Sequence, residues 1–431
     1  MVSIFTDDFK TTPYWWERSP RPALPSTDLP GTGDVAIIGS GYTGLHAAIA
    51  VARGGRSVLV FDAEDAGWGC SSRNGGQIST SVKPGFDELA KLHGRETAFA
   101  ILKDGQNALA WIERFVAGEG IDCDFRVNGR FHAAHNPVQF EKMAKAIQKQ
   151  HKGLEVSARV VPRAEQHAEM GTDTYFGGVV FEKHASLDPA LYHQGLLDRA
   201  LGAGVQIVTH CPVTGIEKSG NGFDVKTGRG TTQARDVIVA TNGYTGSVTP
   251  WLRRRVIPIG SYIIATEPLP RETADRLMPH DRSYSDSRKV VHYYRRSPDG
   301  TRILFGGRVS AGETDTKKSA QLLRRNLIEI FPEMSEVKIS HSWMGFVAYT
   351  FDTLAHVGQQ DGLHYAMGYC GSGVSMASYM GMRVGNKVLG LAEGHTGSDD
   401  VPFQTRPLYY GKPWFLSGSV AYYRWRDRRN V

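Results

Sequence analysis

Cysteine is scarce. The four cysteines of this 431-residue chain, Cys70, Cys123, Cys211 and Cys370, are too far apart for a disulfide framework, and no CxxC pair occurs. That excludes a zinc ribbon and a dithiol reductase, and no second dinucleotide fingerprint supports a pyridine-nucleotide disulfide reductase. Long apolar runs are also missing: nothing approaches eighteen consecutive apolar residues, so no transmembrane helix is expected. The N-terminal MVSIFTDDFK lacks the apolar centre of a signal peptide, which makes a cytoplasmic location the expectation. No acid–base triad is evident. Metal binding is not expected either, because His132 and His135 would point to opposite faces of a strand-to-loop passage. The net charge of +6 is scattered. Its clusters, Arg253-Arg254-Arg255 and Arg424, Arg426, Arg428 and Arg429, read as solvated faces, and no motif suggests nucleic acid.

What is present concentrates between Asp34 and Gln77. Residues 35–38 have strand length and β-branched content, and they feed into Gly39-Ser40-Gly41-Tyr42-Thr43-Gly44. An alanine-rich helical segment runs to about Arg53, and a second buried-type strand, 57–61, ends at Asp62 and Ala63. Gly39 permits a tight turn, Gly41 lets a pyrophosphate approach the backbone, and Gly44 lets helix and strand pack closely. The helix N-terminus offers free N–H groups and a positive dipole end. Asp62 is placed to accept ribose hydroxyls, and its charge would repel a 2′-phosphate, disfavouring NADP. The plainer alternative is a glycine-rich turn in an ordinary α/β domain. The following loop, 67–77, is dense in glycine and small polar residues. A nicotinamide enzyme would enter its next helix promptly; a flavin enzyme must run backbone past the pyrophosphate and along the isoalloxazine ring.

The run GCSSRNGGQ after GSGYTG resembles the FAD-dependent D-amino-acid oxidase superfamily and, within it, the γ-glutamylputrescine oxidase-like branch. The likeness extends from Tyr14 to about residue 425. It implies FAD contacts at Gly39, Ser40, Gly41, Tyr42, Thr43, Gly44, Asp62, Ala63, Ser71, Ser72, Arg73, Asn74, Gly75, Gly76 and Gln77. Val213 would reach the adenine side, while Thr241 and Gly243 end a strand beneath the pyrophosphate. Gly345, Gly371, Ser372, Gly373 and Val374 would lie on the isoalloxazine side. The family's C-terminal turn commonly reads S-G-H-G, whereas this chain has Cys370-Gly371-Ser372-Gly373. Residues 347–354 lack the cysteine that links flavin in sarcosine oxidase-like members, so a non-covalent FAD is expected. Cys70 is the residual candidate for a link, or else a small packed thiol.

The resemblance implies an α/β plus α+β fold: a Rossmann-like FAD-binding domain with a parallel sheet, and a second, antiparallel-sheet substrate domain. The expected division is 1–120, 186–252 and 341–431 for the first, and 121–185 and 253–340 for the second. Residues 1–33 read as an extended lead-in strapped to the surface by Tyr14-Trp15-Trp16. Residues 205–208 and 213–217 have parallel-strand character, and 341–350 is expected to lead back to the first domain. A helix over 374–391 would aim its N-terminus at the flavin's pyrimidine end. The tail Tyr422-Tyr423-Arg424-Trp425-Arg426 reads as a packed helix.

Lys289 resembles the strand lysine that activates oxygen in sarcosine oxidase-like enzymes, where a fixed cation stabilises superoxide; otherwise it is a solvent-facing strand lysine. His292, Tyr293, Tyr294 and Arg295 share that strand, and alternate side chains should face substrate. Of these, His292, Tyr294 and Arg295 join Lys289 as catalytic candidates, with the arginine suited to a substrate carboxylate. The leading expectation is an amine oxidase acting on a small γ-glutamylated or similar aliphatic amine in nitrogen or polyamine catabolism. It would form an imine and pass electrons to oxygen, giving hydrogen peroxide. Two alternatives stay open: a D-amino-acid, sarcosine or opine dehydrogenase that passes electrons to a carrier, and a flavin-containing docking subunit without turnover. Homo-oligomerisation also stays open.

Overall fold

A computed structural model describes residues 3–25, 28–308 and 315–429. Positions 26–27 of the proline-rich lead-in lie outside the described residues. The chain begins with β1 (Phe5–Lys10) and the one-turn helix α1 (Trp15–Arg18), then enters β2 (Thr32–Ile38), α2 (Tyr42–Arg53) and β3 (Val58–Phe61). After the glycine-rich loop come β4 (Gln77–Ile78), α3 (Phe86–His93) and α4 (Arg95–Gly118). The next stretch holds β5 (Arg130–Ala133), α5 (Pro137–Gln148), β6 (Ala158–Val161), β7 (Gly178–Phe181) and β8 (Ala185–Ser186). α6 (Pro189–Gly202) starts where it does because Asp188 caps it, its carboxylate accepting from the Ala190 and Leu191 N–H groups. β9 (Gln206–Val208), β10 (Val213–Ser219), β11 (Gly222–Thr227), β12 (Gly230–Val239) and α7 (Pro250–Arg253) follow. Then come β13 (Ile257–Thr266), α8 (Arg271–Leu277), β14 (Ser283–Asp286), β15 (His292–Arg296) and β16 (Ile303–Gly307). The chain ends with α9 (Thr316–Ile330), β17 (Ile339–Tyr349), β18 (His356–Gln360), β19 (Leu363–Met367), α10 (Gly373–Val388) and α11 (Leu416–Arg429).

Two sheets divide these strands. The first has the order β10-β11-β12-β2-β3-β9, with β19 also on β12 and β18 on β19. β12, β2, β3, β9 and β19 run parallel, as a βαβ unit requires. The buried runs Val35–Ile37 and Val58–Phe61 make this sheet's centre, and α2 and α10 cover one face. Their approach is close: a Cβ on Gly381 of α10 would lie 2.5 Å from the Thr43 carbonyl oxygen of α2.

The second sheet has nine strands, β1-β17-β13-β16-β15-β14-β5-β7-β6, mostly antiparallel, with α9 packed on its core. Three expectations are corrected here. Residues 213–217 begin an antiparallel meander, because β10 is followed at once by the tight turn into β11. Residues 341–350 do not return to the first domain: β17 pairs with β13 from Ile339↔Thr266 to Tyr349↔Ile257, covering an edge that would otherwise expose its backbone polar groups. The lead-in is fastened more deeply than a surface strap. β1 lies parallel to β17, and Tyr14 and Trp15 are buried with Ile263, Leu304 and Trp343. No helix among the described residues is long and apolar enough to cross a membrane.

Candidate functional site

The glycine turn between β2 and α2 is shaped by contacts that admit no side chain. Gly39 adopts φ +101°, and a Cβ on Gly44 would lie 1.9 Å from the Gly39 carbonyl oxygen. A Cβ on Gly41 would sit 2.8 Å from Ser71 Oγ. That same hydroxyl accepts the Tyr42 N–H at 2.9 Å, tying the helix start to the loop. The N-cap residue Gly41 supplies no capping side chain and the first turn carries no acid, so beyond the Ser71 contact the positive end of α2 is uncompensated. At the tip of β3, Asp62 Oδ2 accepts from Ser40 N at 2.8 Å and from Ser40 Oγ at 2.5 Å, while Oδ1 accepts the Glu64 N–H. Burial raises its pKa. Ala63 follows it directly. The end of β12 abuts the same turn, since a Cβ on Gly39 would meet the Ala240 carbonyl oxygen at 3.1 Å. Thr241 bonds Thr245 through their hydroxyls, and Gly243 is packed beneath Phe346. Val213, opposite Thr227, starts the outermost strand of this sheet.

Residues 70–77 are held by their own polar groups and by three tryptophans. Asn74 Nδ2 donates to the Ser71 carbonyl at 2.9 Å and its Oδ1 accepts from Gly76 N at 2.8 Å. Trp15 Nε1 donates to the Asn74 carbonyl and Trp343 Nε1 to the Arg73 carbonyl, both at 2.8 Å; Trp16 Nε1 donates to Ser72 Oγ at 2.9 Å. Arg73 lies between the Trp16 and Trp68 rings, 4.6 and 4.3 Å from their centroids. Gln77 Nε2 donates to the Tyr294 carbonyl, joining this loop to the second sheet.

This loop, β17, β15 and the turn before α10 converge on the face where a ring bound beside the glycine turn would lie. Gly345 of β17 leaves room for Cys70, whose sulfur would stand 3.3 Å from a Cβ there. The turn takes positive φ at Cys370 (+50°) and Gly371 (+96°), and the Cys370 N–H donates to the Ala348 carbonyl. Ser372 is the N-cap of α10 without a capping side-chain bond, and Gly373 and the buried Val374 start the helix with no acid in its first turn. Burial pushes the Cys70 and Cys370 thiols up to about 11 and the Tyr349 hydroxyl to about 12. This face therefore carries neutral thiol and phenol groups at neutral pH. Lys83 reaches solvent, and the surrounding protein with the nearby Arg130 and Lys289 charges lowers its pKa.

The catalytic candidates on β15 need correction, because the strand presents its other face. Tyr294 points into the second domain's core, its hydroxyl donating to Met170 Sδ at 3.3 Å and its ring stacked against Tyr284 and Phe305. His292 faces α9, with Nε2 3.2 Å from Asn326 Nδ2 and Nδ1 3.2 Å from Asp286. Arg295 does face the glycine-rich loop, but it is 3% exposed and donates to the carbonyls of Leu187, Gly76 and Arg296. It braces the loop through Nε and Nη1. Lys289 lies in the exposed turn before β15, its N–H bonded to Asp427 of α11, beside a cavity of about 160 Å³ that also takes in His135 and Lys142. The residue that reaches the proposed ring site is Tyr293. Its hydroxyl pairs with Ser261 Oγ at 2.8 Å, and its ring fills the space left by Gly75 and Gly306. Period-two alternation signalled that choice, but not which face would be inward.

The site fits a dinucleotide. Two helix N-termini whose first turns hold no acid, and a glycine turn that a Cβ would fill, offer positive ends and bare backbone to an anionic, planar group. Among the described residues, no group of three His, Cys, Asp or Glu could hold a metal ion. Residues 34–386 match the family model described as FAD dependent oxidoreductase. The chain is 32% identical over 426 residues to a probable oxidoreductase OrdL of Rhizobium meliloti, covering 96% of this chain and 97% of the relative. It is 30% identical over 409 residues to the gamma-glutamylputrescine oxidoreductase of Escherichia coli, covering 93% and 94%. The solved structure of glycine oxidase from Geobacillus kaustophilus superposes with a TM-score of 0.74 at 17% identity, covering 88% of this chain and 99% of that one. The chain belongs to the FAD-dependent oxidoreductase family and is an FAD-dependent oxidoreductase.

Proposed function

We propose that the chain oxidises the C–N bond of an aliphatic amine carrying a γ-glutamyl-like group. The amine loses two electrons and two protons to become an imine, and water hydrolyses the imine to an aldehyde. Oxygen takes up those electrons and protons as hydrogen peroxide. FAD, when bound, supplies the two-electron acceptor. In this reading the α2 N-terminus holds the pyrophosphate, Asp62 the ribose, Val213 the adenine side, and Thr241 and Gly243 the strand end beneath. The loop 71–77, Gly345 and residues 371–374 border the ring. Protonated thiols at Cys70 and Cys370 favour a dissociable cofactor, since the thiolate is the reactive form.

The observation that carries the reading is the neutral wall of Tyr293, Tyr349 and Cys370 in a chain 30% identical to a gamma-glutamylputrescine oxidoreductase over 93% of its length. Such a wall disfavours an ammonium ion and selects the neutral amine, whose lone pair assists C–H cleavage. One observation favours a second reading, a dehydrogenase passing electrons to a carrier: Lys289, the cation expected to activate oxygen, stands in an outer turn. The test is an amine panel that includes γ-glutamylputrescine, assayed under air for peroxide and aldehyde. Equal yields of both are expected. Turnover only with an added redox dye would replace the oxidase reading by the dehydrogenase one, and no turnover with any amine would overturn both.

A further inference from the structure

The large apolar side chains that this protein leaves exposed gather at one end of the chain. Six of the fourteen among the described residues, Leu408, Tyr410, Trp414, Tyr422, Tyr423 and Trp425, lie in α11 and the segment leading to it, and all but Leu408 are tyrosine or tryptophan. Single scattered exposures need no explanation, but such a concentration does. The same stretch lacks acid: positions 401–426 hold Arg406, Lys412, Arg424 and Arg426 and no Asp or Glu. α11 is fixed to the body of the protein by one side. Val420 is buried, Arg424 Nη2 donates to the Arg308 carbonyl at 3.2 Å, and the Asp427 carboxylate accepts the N–H groups of Lys289 and Val290 at 2.9 and 3.1 Å. Positions 420, 424 and 427 share that side of the helix, which turns 422, 425 and 426 outward. There the Tyr422 and Trp425 rings stack with centroids 6.1 Å apart, 53% and 48% exposed, and the Arg426 guanidinium stands 5.9 Å from the Tyr422 ring. Beside Arg426, cations from two other segments converge: Lys142 of α5 and Lys289 line one cavity with it. Asp427 is the one acid lining that cavity, and its carboxylate already faces two backbone N–H groups.

Tyrosine and tryptophan pair an apolar ring with a polar edge, which suits them to the head-group level of a bilayer, and the neighbouring cations suit an anionic one. With no helix among the described residues able to cross a membrane, such a contact is one of lying on the surface. A second copy of the chain fits this face less well, because a two-fold contact would set its cations against themselves. We propose that the outer face of α11, with Lys142 and Lys289 beside it, docks the protein on an anionic lipid surface. The Tyr422 and Trp425 rings enter the head-group layer, and the cations pair with lipid phosphates. The docking does not depend on amine oxidation.

The test is flotation of the purified full-chain holoenzyme with vesicles of equal parts phosphatidylglycerol and phosphatidylcholine, and with vesicles of phosphatidylcholine alone. Retention on the anionic vesicles is expected, weakened by added salt, with little on the neutral ones. Tyr422→Ser and Trp425→Ser should each lower the partition constant about 10-fold, and Lys142→Gln about 5-fold. Flavin absorbance and Tm check that each variant folds; where Trp425→Ser does not, Tyr422→Ser and Lys142→Gln decide. Equal retention on both vesicles overturns the anionic surface, and retention that none of the variants weakens overturns the α11 face. A protein retained on neither vesicle overturns the docking outright, and a dimer that Trp425→Ser then breaks in sedimentation would name a second copy as the occupant. Amine oxidation by a protein that ignores both vesicles leaves the proposed reaction standing without the docking. Anionic retention that the variants weaken, with no amine oxidised, supports the docking and overturns the reaction instead.

Discussion

His193 shows how a single side chain ties the nucleotide turn to pH. It is fully buried, donates from Nε2 to the Ser40 carbonyl at 2.7 Å, and accepts from Arg21 at Nδ1. Only the neutral imidazole can do both. Burial, then Arg21, lowers its pKa from 6.5 to about 3, so the unfolded chain binds a proton that the folded chain refuses between those values. Its contribution is complete above pH 6.5 and falls as pH drops toward 3, by about 1.4 kcal/mol per unit. Acidifying from pH 7 to 5 should therefore remove about 2 kcal/mol of stability through this group. His193→Gln should flatten that part of the Tm-versus-pH curve, and an unchanged slope would refute the assignment. Gly44 is a second residue-scale case. Gly44→Ala must push α2 away from β2, at a cost of about 3 kcal/mol. Flavin absorbance of the purified variant should be lost, and a fully yellow Gly44→Ala protein would show that the turn has slack.

At the scale of elements, the unexpected one is α1. Four residues long, it sets the indoles of Trp15 and Trp16 against the loop that follows β3, where Trp343 of β17 joins them. Trp15→Phe leaves the half-buried Asn74 carbonyl without its donor, which costs about 1 kcal/mol. The expected result is a lowered Tm together with weaker FAD retention. A lowered Tm with unaltered FAD affinity would make α1 a packing element only. β15 teaches a related lesson. Its strand character is readable from alternation, but alternation does not name the buried face and so does not separate Tyr293 from Tyr294. The glycines opposite, Gly75 and Gly306, come from two distant segments and decide it.

For the whole molecule, the proposed cofactor site is a seam. α2 and α10 belong to one sheet, Tyr293, Gly345 and Tyr349 to the other, and β17 carries contacts to both. A ligand bound across such a seam stabilises both sides at once. Adding FAD to flavin-stripped protein at about 100 times its Kd should contribute about 2.7 kcal/mol and raise Tm accordingly. No shift would mean that the seam is not where FAD binds. Denaturing the yellow protein in acid should release all flavin to the supernatant, and colour kept in the pellet would identify a covalent link.

The sequence by itself determined the βαβ unit, its glycines, the acid at the tip of β3, the loop after it and the family resemblance. These depend on local spacing and backbone freedom, which neighbouring residues express directly. Only the tertiary structure decided that β17 and β1 join the second sheet and that Arg295 is turned to backbone carbonyls. Those outcomes depend on which strand faces pair across large sequence separations, and no period along the chain encodes that choice.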